Sequence, residues 1–190
     1  MRIEIFDRME ECTEAEVQRM LPLVSAQRRE QALKYKHTLG RFCCLKSWVL
    51  LSIGVAHMIK PGNNQDIITR EYRYNEHGKP YFEGGPYFSI SHCKEGIAVA
   101  LDDQPIGIDI EAIRHAEPDL IERTMNEQER RMIQSDRDFT RLWTQKEAIV
   151  KLLGTGIESF EQLQGIRNQD LGFRIQTIEN EKYIYSIAYK

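Results

Sequence analysis

Isoleucine occupies every second position from Ile106 to Ile110 within the stretch P-I-G-I-D-I-E-A-I, Pro105 to Ile113. A period of two marks an extended strand with one apolar face. The same alternation puts Asp109 and Glu111 together on the other face, about 7 Å apart along the strand, where their like charges repel. The strand alone allows two readings: a solvated face, or a cation held between the carboxylates.

The rest of the chain supplies the context for that strand. M-R-I-E-I-F-D-R at the N-terminus alternates polar and apolar residues and reads as a first strand, not a signal peptide. A helix-rich stretch from Glu14 to His57 is broken early by Pro22 and Ser25, and Ser25 suits the N-cap of A-Q-R-R-E-Q-A-L-K-Y. Leu45, Trp48, Val49, Leu51 and Ile53 make the next helix the most apolar in the chain, and so a central core helix. P-G-N-N-Q-D, Pro61 to Asp66, reads as a loop. Strands are expected at I-I-T-R-E-Y-R-Y, F-S-I-S-H and G-I-A-V-A-L, with turns at N-E-H-G-K-P and D-D-Q-P.

Helices resume at Pro118 to Thr124 and at Asn126 to Ile133, where Asn126 and Glu129 have capping-box spacing. Asp138 is expected to cap F-T-R-L-W-T-Q-K-E-A-I-V-K-L-L, which Gly154 ends. G-F-R-I-Q-T-I and Y-I-Y-S-I-A-Y form a terminal hairpin. Helices are followed by strands in each half. An α+β fold of two similar-sized lobes follows, residues 1–103 and 104–190, dividing near Asp102 to Pro105.

Charge and cysteine usage narrow the classes. With 26 basic and 29 acidic residues the net charge is −3, which argues against a protein that coats nucleic acid. No apolar run approaches the ~18 residues of a membrane span. Cys12, Cys43, Cys44 and Cys93 show no C-x-x-C spacing, and free thiols in a reducing cytoplasm are the reading. The histidines show no H-x-x-x-H, so zinc is not expected.

A third carboxylate lies on the helix before Gly154. At 3.6 residues per turn Leu142, Ile149 and Leu153 cluster on one side, and Glu147 and Lys151 stand together on roughly the opposite side. An ordinary i,i+4 surface pair would look the same and contribute a few tenths of a kcal/mol. Lys146 falls between Leu142 and Leu153, where a lysine stem can snorkel. The glycines of G-T-G-I, Gly154 to Ile157, could let backbone approach a ligand. Asp109, Glu111 and Glu147 would together offer three hard oxygens, a set that suits Mg²⁺ sharing its shell with phosphates.

G-I-D-I-E followed by W-T-Q-K-E-A-I-V-K-L-L-G-T-G-I, with the second glutamate 36 residues past Glu111, resembles the 4′-phosphopantetheinyl transferases of the Sfp type. Those enzymes resemble one another at (V/I)-G-(I/V)-D-(I/V)-E and at W-(T/S)-x-K-E-(A/S)-x-x-K-x-x-G-x-G-(L/I). G-K-P at Gly78 to Pro80 and F-S-I-S-H at Phe88 to His92 fall in the family's order, and the resemblance covers about residues 36–157.

The resemblance implies two lobes related by a pseudo-twofold, each a small antiparallel sheet packed on helices, in a monomer with the active site between them. It implies transfer of the 4′-phosphopantetheine group from coenzyme A to a serine of an apo acyl or peptidyl carrier protein, releasing adenosine 3′,5′-bisphosphate. Mg²⁺, or Mn²⁺, would be held by Asp109, Glu111 and Glu147. Glu147 would act as general base, with Lys151 stabilising the pyrophosphate. Arg41, Lys79, Pro80, Ser91, His92, Lys146 and Lys151 would contact coenzyme A, His92 at its 3′-phosphate, with Lys36 and His37 as further contributors.

Where many relatives have R-F-F-(S/T)-x-x-E, this chain has R-T-M-N-E-Q-E, Arg123 to Glu129, which puts the carrier-docking surface in question. A magnesium-dependent phosphodiesterase or nuclease would more often carry D…E-x-K, and Ile113 stands two residues past Glu111. A non-catalytic coenzyme A or carrier-binding module would be expected to have lost a carboxylate or Lys151, and all are present.

Overall fold

The computed structural model describes residues 1–58, 71–157, 159–166 and 172–190. The N-terminal alternation forms strand β1 (Arg2–Phe6). Thr13 accepts from the Glu16 N–H to cap helix α1 (Glu14–Met20), and a 3₁₀ turn carrying Pro22 breaks the helical run. Ser25 accepts from the Arg28 N–H and opens α2 (Ala26–Leu33), as expected of a short hydroxyl at an N-cap.

Helix α3 (Thr38–Met58) is the core helix the sequence calls for, with Phe42, Leu45, Trp48 and Leu51 fully enclosed. Two expectations for it fail. Ile53 lies on its outer side and is 41% exposed. By length and composition α3 could also cross a membrane, contrary to the reading of the sequence, but 56% of its apolar window is buried inside the protein.

The two-residue strands β2 (Arg73–Tyr74) and β3 (Pro80–Tyr81) form a small ribbon about the N-E-H-G-K-P turn. Of the expected strand I-I-T-R-E-Y-R-Y, Arg73 and Tyr74 are extended in β2. Ile67 to Arg70 and the loop Pro61 to Asp66 lie outside the described residues. Strands β4 (Tyr87–Cys93), β5 (Gly96–Asp102) and β6 (Ile106–Ala112) follow.

Helices α4 (Pro118–Thr124) and α5 (Glu127–Met132) come next, α5 opened by the Asn126/Glu129 capping box. Ser135, not Asp138, is the N-cap of helix α6 (Asp136–Leu153). Its hydroxyl accepts from the Asp138 N–H, which leaves Asp136 and Asp138 in the first turn, where the helix dipole favours negative charge. Gly154 ends α6 in the left-handed conformation at φ 71°. A short helix α7 (Phe160–Gly165), absent from the sequence reading, precedes the expected hairpin of β7 (Arg174–Glu179) and β8 (Tyr183–Tyr189).

The longer strands form two antiparallel three-stranded sheets ordered β1-β5-β4 and β6-β8-β7. In each sheet the first strand pairs with the last of its half, so the two sheets share one connectivity. β5 presents Ile97, Val99 and Leu101 to the core around α3, and Ala98 and Ala100 to the other sheet. Ile106, Ile108 and Ile110 of β6 meet those alanines, and each isoleucine is fully buried. The apolar face of β6 is thus covered by a sheet, and its polar face is turned to α6.

Candidate active site

Glycine permits the approach of α6 to that polar face. A Cβ on Gly107 would lie 1.9 Å from the Ala148 carbonyl oxygen and 2.4 Å from the Leu152 nitrogen. No side chain fits there, so the G of G-I-D-I-E lets helix backbone rest directly on the strand. Two residues further along β6, Asp109 is only 3% exposed, which excludes a solvated strand face.

Three elements converge on Asp109. Lys151 Nζ, from α6, donates to Asp109 Oδ1 at 2.6 Å. The Ser91 hydroxyl, from β4, donates to the same oxygen at 2.7 Å and accepts from Lys151 Nζ at 2.9 Å. Next to it, the Ser89 hydroxyl accepts from the Ile108 N–H at 3.1 Å, fastening β4 to β6. Ser89 is not among the expected site residues, although the alternation of F-S-I-S-H places both serines on one face. Asp109 Oδ2 is buried with no hydrogen-bond partner among the described residues.

Glu111 and Glu147 join the same electrostatic neighbourhood. Burial, then the Asp109 charge and Glu111, push the Glu147 carboxyl up to about 7, while Lys151 opposes the shift. Glu111 is raised by burial and then by Asp109, against Arg114, Lys151 and the Trp143 indole. The buried Trp143 N–H is near enough to favour the charged form of Glu111 but completes no hydrogen bond of ordinary geometry.

Beyond burial, the Asp109 charge raises both glutamates, and Glu111 adds to the shift of Glu147, together more than Lys151 and Arg114 offset. The three carboxylates do not form a preformed cage, since no group of three or more metal-type side chains among the described residues stands in ligating geometry. The donor set nevertheless fits a hard cation that completes its shell with water and phosphate oxygens: oxygen ligands throughout, one of them orphaned and buried.

Beside this cluster opens a cleft of about 350 Å³. One wall is the turn His77 to Pro80 with Phe88, Ser89 and Ile90 of β4. The other is Glu147, Val150 and Lys151 of α6 with Gly154, Gly156 and Ile157. Lys79 and Pro80, expected at the nucleotide, therefore share a cleft with Glu147 and Lys151. The Lys79 ammonium is already engaged, donating to the carbonyls of Ile106 and Lys151. Burial, and then the Lys151 charge, lower its pKa to about 8.

The remaining expected residues lie elsewhere. His92 follows Ser91 on β4 and is exposed; partial desolvation, and then the Lys151 charge, lower its pKa. Arg41, in the first turns of α3, pairs with Glu14 at 3.3 Å, and its Nε has no partner among the described residues. Lys36 and His37 are exposed between α2 and α3.

Lys146 departs most from its expected role as a phosphate contact. It is 2% exposed and enclosed, with Nζ paired to Glu129 at 2.9 Å and donating to the carbonyls of Leu163 and Ile166. Glu129 Oε2 also accepts from the Asn126 N–H, so one carboxylate serves both the α5 cap and the lysine. Lys146 ties α5, α6 and the end of α7 together instead of snorkelling to solvent. Met125, of the R-T-M-N-E-Q-E stretch, is fully buried in the same small core as Phe139 and Trp143.

Residues 105–190 match the family model of the 4′-phosphopantetheinyl transferase superfamily. A 4′-phosphopantetheinyl transferase of Bacillus subtilis is 30% identical over 150 residues, which cover 75% of this chain and 65% of that protein. The 4′-phosphopantetheinyl transferase gsp of Aneurinibacillus migulanus is 35% identical over 100 residues, 50% of this chain and 41% of the relative. The 4′-phosphopantetheinyl transferase AcpT of Salmonella typhimurium is 37% identical over 95 residues, 44% and 50% of the two chains. The chain thus spans about two thirds or less of the length of these curated relatives.

Proposed function

We propose, because this chain belongs to the 4′-phosphopantetheinyl transferase superfamily and has Sfp among its relatives, that it transfers the 4′-phosphopantetheine group of coenzyme A to a serine of an apo acyl or peptidyl carrier protein. One observation carries the reading. A carboxyl pushed up to about 7 by burial, Glu147, stands on the same cleft wall as Lys151, which holds the buried Asp109.

In the reaction the serine Oγ forms a bond to the phosphorus that carries pantetheine. The bond from that phosphorus to the bridging pyrophosphate oxygen breaks, and adenosine 3′,5′-bisphosphate leaves. Glu147, in its ionised form, accepts the serine proton, and a base poised near neutral pH is matched to that task. Lys151 places a positive charge where the leaving phosphate develops negative charge. Its ammonium is pre-oriented by Asp109 and Ser91, so little reorganisation is needed.

Asp109, Glu111 and Glu147 would hold Mg²⁺ or Mn²⁺, which when bound neutralises pyrophosphate charge. Lys79 and Pro80, which line the cleft, are assigned to the nucleotide, and Ser91 is assigned to coenzyme A beside Lys151, from which its hydroxyl accepts. Arg41 and His92, outside the cleft lining, are assigned to the 3′-phosphate, with Lys36 and His37 beside them. Arg41 would exchange Glu14 for that phosphate, a partner its guanidinium can meet with two parallel hydrogen bonds.

The test is direct: incubate the protein with coenzyme A, Mg²⁺ and apo acyl or peptidyl carrier, and weigh the carrier by mass spectrometry. A gain of one phosphopantetheinyl group, lost in excess chelator, is expected. Carriers of both kinds left at their apo mass would overturn the reading.

A further inference from the structure

The last turn of a helix leaves carbonyls with no partner inside the helix. At the end of α6 one of these, and the carbonyl of the C-cap Gly154 just beyond it, are capped from the other half of the chain. Asn75 Nδ2 donates to the Gly154 carbonyl at 2.7 Å, and Lys79 Nζ donates to the Lys151 carbonyl. The other end of the Asn75 side chain organises its own turn. Its Oδ1 accepts from the His77 N–H at 3.1 Å and from the Lys79 N–H at 2.8 Å, while the Asn75 N–H donates to the Lys79 carbonyl at 3.0 Å.

The contact is close on both sides. A Cβ on Gly154 would sit 3.1 Å from Asn75 Nδ2, and one on Gly156 would sit 3.5 Å from His77 Cβ. Both glycines have positive φ, 71° and 66°. A single amide therefore folds one cleft wall with its oxygen and fastens the opposite wall with its nitrogen. The amide does this with few alternatives, since an amide offers acceptor and donor at opposite ends.

We infer that Asn75 is a positioning residue that sets the width of the cleft by clamping the His77–Pro80 wall to the C-terminal end of the helix bearing Glu147 and Lys151. The inference rests on the proposed transferase reading, in which that cleft takes the nucleotide end of coenzyme A. A wall held against both bound substrate and transition state contributes uniform binding, which appears in KM and not in kcat.

Two substitutions separate the two halves of the amide. Asn75→Asp keeps the oxygen used by the His77 and Lys79 N–H groups and replaces the donor with an oxygen that repels the Gly154 carbonyl. Asn75→Ala removes both. Loss of one neutral hydrogen bond corresponds to about a two- to tenfold change, so Asn75→Asp should raise KM for coenzyme A by that factor. Its kcat should stay within about twofold of the parent.

Hydrogen–deuterium exchange of the free protein reads the clamp without any turnover. Amides of the last turn of α6, through the Gly154 N–H that donates to Val150, should exchange faster in both variants. Amides at His77 and Lys79 should exchange faster in Asn75→Ala alone. Unchanged exchange at Gly154 would overturn the clamp, and faster exchange with unchanged KM would overturn its role in the cleft. Failure of both variants to fold would also overturn it, because a device that sets cleft width is not needed for folding. A parent protein that cannot modify any carrier would sink the transferase reading instead, with the exchange data still deciding the clamp.

Discussion

Lys151 Nζ lies 2.6 Å from Asp109 Oδ1, and the aspartate is almost completely buried while the lysine side chain is 29% exposed. The pair is asymmetric: the lysine can be rehydrated if its partner is lost, whereas the carboxylate cannot. Removing one partner of a buried pair typically costs ~3–5 kcal/mol because it strands a buried charge. Lys151→Met should therefore destabilise the fold by an amount toward the lower end of that range. Asp109→Asn should cost less.

The stranded carboxylate also gives a metal test. With Asp109 unpaired, added Mg²⁺ should raise the melting temperature of Lys151→Met more than that of the parent, since ligand stabilisation grows with affinity for the folded state. Thermal melts in Mg²⁺ and in chelator measure this. Equal shifts, or none, would count against Asp109 as a cation ligand.

Gly107 is where β6 and α6 touch backbone to backbone. Gly107→Ala forces a methyl group into atoms that cannot rotate away, the Ala148 carbonyl and the Leu152 nitrogen. Overpacking of this kind costs about 1–3 kcal/mol or more, because the helix must lift from the strand. Lifting α6 moves Glu147 and Lys151 relative to Asp109, so transfer should fall further than stability does. Urea unfolding and transfer rate, measured together, decide the point, and a variant with unaltered kcat would contradict it.

The Lys146–Glu129 pair should behave oppositely to a phosphate contact. Glu129→Gln leaves an enclosed ammonium facing only neutral oxygens and should cost up to about 3–5 kcal/mol. Lys146→Met removes the charge and leaves a flexible apolar stem in a site of similar volume, so its cost should be smaller. Its KM for coenzyme A should stay within about twofold of the parent. A large rise in KM at unchanged stability would restore Lys146 to the phosphate site.

These residues also mark what the sequence could and could not disclose. The alternation of β6, the apolar run of α3, the Asn126–Glu129 cap and the Gly154 stop are local patterns, and each appears in the structure where its spacing put it. The three carboxylates and Lys151 were legible because two short motifs each fix their own geometry.

What failed depends on neighbours distant in sequence. Lys146 sits on the apolar side of α6, but only Glu129 and the end of α7, brought in by folding, explain its burial. Leu153 looked like part of the apolar stripe and is 47% exposed, because α6 ends at the cleft rim. Ser135 outcompeted Asp138 as a cap in a run where both have suitable side chains. Asn75 lay inside a stretch read only as a turn, and its partner is 79 residues away.

Glu147 gives a pH test with a definite sign. Its carboxyl, ordinarily near 4.5, is pushed up to about 7 in the folded protein, by burial first and then by Asp109. Between those values the folded state binds a proton that the unfolded state has released. The associated stability is fully present below 4.5 and is lost as pH rises through 7. The separation corresponds to roughly 3 kcal/mol at most. In chelator, the parent should lose up to that much more stability than Glu147→Gln between pH 5 and pH 8, as read by urea unfolding. Identical pH dependence in the two proteins would show that Glu147 is not the strained group. At pH 8, saturating Mg²⁺ should remove the difference if Glu147 is a ligand. Transfer by Glu147→Gln should nevertheless remain about 10²–10⁴-fold below the parent, the usual loss for a positioned proton acceptor. Restoration of the full rate by Mg²⁺, with coenzyme A saturating, would leave Glu147 a ligand and remove it as the base.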